Sequence, residues 1–168
     1  MRTVKFIAII SLTLSTAISR AQTTNTAITE HDPAVRAKDS TVKVDIIDPA
    51  EQAAGGQAPD WTSLTQTITQ KYDAVTADRT INKAKIYFYY YKDWPTFCDG
   101  IVHYTDHYEL ANDYKLLNKN AGMILKNSDD PAQLKEAFKW SKAALDSDPG
   151  NDQFKETHDG LTSKLAGN

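Results

Sequence analysis

Beyond Asp60 the chain keeps to one pattern, with apolar residues three and four apart, polar residues between them and a capping residue ahead of each stretch. Trp61, Leu64, Ile68, Tyr72 and Val75 make the first stripe. Trp94, Phe97, Ile101, Thr105 and Tyr108 make the third, with Pro95 tolerated in a first turn where no backbone donor is needed. Leu117, Ala121, Ile124 and Leu125 line the fourth, and Phe154, His158, Leu161 and Leu165 the last. Starts are expected at Asp60, Asp78, Asp93, Asn112 or Asp113, Asp130, and Asn151 or Asp152. The pattern predicts an all-α domain over 60–168, about six helices arranged as antiparallel hairpins with short loops.

Two stretches need closer reading. Residues 130–149 carry a full set of start and stop signals: Asp130 to cap, Pro131 for the first helical position, Gln133 where a capping-box side chain reaches back, and Pro149-Gly150 as the stop. Between them Leu134, Ala137, Phe138, Ser141, Ala144 and Leu145 form one face that needs a partner helix. The run Ile86-Tyr87-Phe88-Tyr89-Tyr90-Tyr91 has the content of a strand, yet Ile81, Ala84, Phe88 and Tyr91 keep helical spacing and no second strand is evident. It is therefore read as the second helix, whose rings exceed what one face can hide.

The separations of Ala137, Ala144 and Pro149 are those of the small, small and proline positions in the second helix of a tetratricopeptide repeat. Together with Pro59-Asp60-Trp61, Lys92-Asp93-Trp94, Leu116-Leu117-Asn118 and Ala137-Phe138-Lys139-Trp140-Ser141, they make the last two thirds of the chain resemble the helical-repeat tail that follows thioredoxin-like domains in secreted bacterial proteins. The resemblance implies an all-helical domain that packs against or recruits another protein. Ser141 departs from it, standing where the repeat has a large apolar residue, as do the early Ala121-Gly122 and the charged Lys155 and Asp159. Redox chemistry does not carry over, because residues before Asp60 are too few for a thioredoxin fold and there is no Cys-x-x-Cys.

Ahead of the helices the texture changes twice. Arg2 and Lys5, the apolar run 6–18 and Ser19-Arg20-Ala21 before Gln22 read as a cleaved secretory signal over 1–21, which places the mature chain in the periplasm or outside the cell without membrane insertion. Residues 22–59 are rich in Thr, Ala, Asp and Gln, with Val42, Val44, Ile46 and Ile47 as their one apolar patch, and are expected to form a disordered linker. Cleavage would remove three basic residues and no acidic one from a chain of net charge −3, so nucleic acid is a poor partner.

Candidate chemistry is sparse. Cys98 is the single cysteine, so no internal disulfide forms, and on the third helix it reads as a small buried hydrophobe, with a redox role as the alternative. His103 and His107, four apart, share a helix face and are the weak candidates for a metal site, but no third ligand is assigned. Tyr87, Tyr89, Tyr90, Trp94, Tyr104 and Tyr108 crowd the second and third helices and are the candidate partner-binding residues. With no nucleophile motif, phosphate loop or cofactor signature, the sequence reads as a non-catalytic module that binds another protein or peptide. An accessory subunit to a thioredoxin-like partner is the second reading, and a metal-binding protein or enzyme using His103 and His107 the third.

Overall fold

The computed structural model describes residues 32–167, so the expected signal sequence lies outside the described residues. What is described is α-helical, with no strand among the described residues. The helices are α1 (Pro33–Val42), α2 (Asp48–Ala53), α3 (Trp61–Lys71), α4 (Ala74–Tyr89), α5 (Trp94–Tyr108), α6 (Tyr114–Asn127), α7 (Pro131–Ser147) and α8 (Asp152–Ala166), with a π-helical turn at Lys43–Ile47 joining α1 to α2.

The segment expected as a disordered linker is in part a helix, and this corrects the reading of 22–59. Asp32 accepts a hydrogen bond from the Ala34 amide at 2.8 Å and Pro33 opens the helix. Pro49 has no N–H to give and its ring would crowd the carbonyl four residues back. A wider turn precedes it, in which the Asp48 amide reaches the Lys43 carbonyl. That turn brings Val42 and Ile47, five apart, onto one buried face against Ile68, Ala77 and Ile81, while Val44 is exposed. The chain then leaves through Gly55 and Gly56, both at positive φ, where a side chain would be strained.

From Asp60 onward the carboxylate and amide caps set the helix starts. Asp60, Asp93, Asp113, Asp130 and Asn151 each accept from a first-turn amide. The second helix starts earlier than expected, capped by Asp73, which accepts from the amide and hydroxyl of Thr76 at 2.6 and 2.9 Å. Val75 therefore belongs to α4 and is exposed, and Asp78 lies inside that helix. Gln133 does not reach back as a capping-box residue either. Its amide nitrogen donates to Asp99 on α5 at 2.6 Å while its oxygen accepts from Ser128.

Each helix from α3 onward packs on the next, and α5–α7 and α6–α8 also meet. Two apolar clusters result. Val42, Ile47, Ile68, Ala77 and Ile81 fill the first, and Phe97, Cys98, Ile101, Leu117, Ala121, Ile124, Leu134, Ala137, Trp140 and Leu161 the second. Small residues set the approach within the second: Ala137 and Ala144 are fully buried, and a Cβ on Gly160 of α8 would sit 2.8 Å from Leu125 on α6. Ser141, also fully buried, is accommodated by donating to the Phe138 carbonyl at 2.9 Å and lying 3.2 Å from His158 Nδ1. Ala137→Phe must push α7 off its neighbours, so urea unfolding should show a loss of about 1–3 kcal/mol. An unchanged midpoint would contradict the packing.

Candidate functional site

The aromatic residues expected to form one patch are divided by the fold. Tyr104 and Tyr108 are buried, and Tyr89 accepts a hydrogen bond from Trp61 Nε1 at 3.2 Å while packing on the second cluster. Tyr87 and Tyr90 are exposed, and Trp94 is half-buried against Phe97 at 5.4 Å. Tyr91, expected on the inner stripe of the second helix, is 73% exposed because α4 stops at Tyr89. The turn that stops it is tight: Lys92 and Asp93 amides both donate to the Tyr89 carbonyl, and Tyr91 takes φ 63°. A non-glycine residue there costs on the order of 1–2 kcal/mol. The Tyr91 ring is held beside Tyr90 and Trp94, with centroids 3.9 and 5.4 Å away, and the Tyr90 hydroxyl donates to that of Tyr91 at 2.9 Å.

Behind this corner lies a groove. α4 and α6 both pack on α5, but unlike α6 and α8 they form no packed pair with each other. The gap between them is a cavity of about 260 Å³ floored by Phe97, Ile101, Tyr104 and Thr105 of α5. Ile86, Tyr87 and Tyr90 form one wall, Leu116, Asn120 and Met123 the other, and Lys83, Glu109 and Lys119 stand at its edge. The floor is fixed in place: Asn120 donates to Thr105 Oγ1 at 2.9 Å, both buried. Of the aromatic candidates the structure thus brings Tyr87, Tyr90 and Tyr104 to one recess. Sequence reading missed Ile86, Ile101, Leu116 and Met123, whose helical spacing marks them as ordinary core and carries no sign that α4 and α6 stand apart.

His103 and His107 of α5 belong to a polar cluster with Asp78 of α4. Asp78 accepts from His103 Nε2 at 2.7 Å and from the Tyr108 hydroxyl at 2.5 Å, and His107 Nδ1 lies 2.8 Å from the His103 carbonyl. The two imidazoles stack with centroids 4.3 Å apart instead of converging on a point. Among the described residues no group of three histidine, cysteine, aspartate or glutamate side chains is placed to hold an ion. Burial works against ionisation of Asp78, but the hydrogen bonds from Tyr108 and His103 and the nearby imidazoles outweigh it and hold the carboxyl below its usual range. A carboxyl lowered on folding contributes stability that is present above its unfolded pKa and is lost as pH falls through its folded value. Tyr108→Phe removes one of those donors. Its unfolding midpoint should fall short of wild type at neutral pH and converge toward it below about pH 3–4. A difference independent of pH would contradict this.

Cys98 is fully buried in the second cluster, and burial, with Asp99 beside it, pushes its thiol up to about 11. A partner linked through this thiol would need α5 to open first. Native protein should therefore react with a thiol reagent orders of magnitude more slowly than urea-unfolded protein. Equal rates would place Cys98 at the surface.

Among the described residues no helix is long and apolar enough to cross a membrane. Comparison of the chain with protein-family models, curated proteins and solved structures finds no match.

Proposed function

We propose that the chain is a non-catalytic helical-repeat module, exported to the periplasm or beyond, that holds a segment of another protein in the groove between α4 and α6. The observation that carries this reading is the groove itself. It is a recess with an apolar floor, flanked by exposed Tyr87 and by the exposed Tyr90 and Tyr91 of a strained turn, on a helical domain whose interior is otherwise closely filled by large apolar side chains such as Phe97, Leu134 and Trp140. Rings with polar tips lose few torsions on docking and tolerate both water and contact, which suits Tyr87, Tyr90 and Tyr91 to the rim of an interface. The spacing of Ala137, Ala144 and Pro149 supports the repeat-like reading, and the leader-like 1–21 supports export.

A photo-crosslinking residue placed at Tyr87 in the full chain, expressed with its leader, tests this. A discrete adduct is expected from position 87 and none from Lys142, which lies on α7 away from the groove. Equal yields from both positions, or none from either, would overturn the reading.

A further inference from the structure

We infer that residues 33–53 form an exchangeable arm: α1 and its π-helical turn from one copy of the chain dock on α3 and α4 of a second copy, and two chains make a swapped dimer. The exchange does not depend on what the groove between α4 and α6 holds. The surface under the arm has a chemical need that the body of the fold does not meet by itself. Arg79 of α4 is 1% exposed, its guanidinium lies 5.8 Å from the Tyr108 ring centroid, and among the described residues Asp39 of the arm is the carboxylate paired with it. Beside it Ile68, Ala77 and Ile81 are buried against Val42 and Ile47. An occupant of this surface must therefore be a helical segment that sets a carboxylate three residues ahead of one apolar side chain and eight ahead of a second. Residues 33–53 of another copy meet that need with the same contacts that the chain's own arm makes. Exchange then alters the joint and leaves the interface as it is.

The joint permits this. The arm leaves the body through 54–60, where Gly55 and Gly56 are exposed at φ 60° and 91° and a Cβ on either would meet nothing within 4 Å. Glycine takes either sign of φ about equally readily, so the connection can follow a second path without steric penalty. The hold on the arm is also narrow. α1 meets α4, the π-helical turn meets α3, and α2 buries no residue. A second ion pair between arm and body, Lys38 to Asp73 at 3.4 Å, joins two exposed side chains and contributes little. Opening the arm thus exposes a few apolar side chains and one buried cation while the second cluster stays closed, which costs less than unfolding the whole chain. Two opened copies close on each other more often as concentration rises.

The test mixes two full-length variants, Asp39→Leu and Arg79→Met, one of them labelled with nitrogen-15, unfolds them together in urea, refolds them and reads mass and composition by native mass spectrometry. In its own fold the first leaves Arg79 buried without a carboxylate, and the second leaves Asp39 without its guanidinium. A swapped pair restores Asp39 to Arg79 at one site and removes both charges from the other. The expected result is a dimer that holds the two variants in equal parts, well above its random share, with a urea midpoint higher than that of either variant refolded alone. A mixture that yields no mixed dimer would overturn the exchange, and mixed and unmixed dimers in random proportion would overturn it by placing the interface outside the arm. Neither variant has to fold alone for this outcome to be read. The unaltered chain gives a second measurement: refolded over a roughly hundredfold range of concentration, it should show a dimer share that rises with concentration. A single-chain mass throughout that range would equally overturn the exchange.

Discussion

Asp39→Ala should be the most damaging exposed-to-half-buried substitution in the chain, lowering stability by about 3–5 kcal/mol. Arg79 on α4 is 1% exposed, and its guanidinium meets Asp39 on α1 through two bonds, Nε to Oδ2 at 2.7 Å and Nη2 to Oδ1 at 2.6 Å. The paired, planar geometry satisfies a charge that the surrounding helices have removed from water. Taking away the carboxylate leaves that charge buried and uncompensated, which costs far more than the pair contributes when intact. The same bond ties α1 to the rest of the fold across forty positions of sequence. Hydrogen exchange should therefore accelerate first over 33–53. Removing both charges, Asp39→Leu with Arg79→Met, should recover most of the loss. A double variant as unstable as Asp39→Ala would show that the damage came from elsewhere.

Leu134→Ala is expected to cost about 2–5 kcal/mol, from lost transfer energy and the cavity left behind. Leu134 is fully buried on α7 in the second cluster, among side chains from α5, α6 and α8. Its neighbour Ala137 has no side chain that can swing into the space, so the void should collapse little. Because the two clusters are separate, the exchange of α6, α7 and α8 should accelerate while α1 and α3 hold protection close to wild type. Uniform acceleration would show one cooperative core instead of two.

Much of the helical framework was legible in the sequence because a carboxylate or amide ahead of an apolar stripe has few other uses. Asp60, Asp93, Asp113, Asp130 and Asn151 cap as such residues do. Asp78 misled because it precedes Arg79 and Ile81 just as a cap would. Its carboxylate serves His103 and Tyr108 instead, two turns along a neighbouring helix and outside any local window. The helix at 33–53 was hidden for a different reason. Its inward pair, Val42 and Ile47, repeats at the wider spacing of a π-helical turn, and its anchor to the domain is Arg79, far along the chain. Composition alone reads such a segment as a tether. The groove was the least legible feature. Tyr87 and Tyr90 could be named from the crowding of rings, but the recess exists because α4 and α6 both pack on α5 and not closely on each other. No spacing within a helix encodes that gap.

The docking account stands most directly on nitrogen–proton NMR spectra of the labelled chain, recorded while a peptide selected from a random library for binding to the chain is titrated in. It predicts shifts concentrated at Ile86, Tyr87, Tyr90, Ile101, Leu116 and Met123, with α7 unmoved. Shifts that cluster around His103 and His107, or spread along α7 and α8 while the groove stays silent, would contradict it.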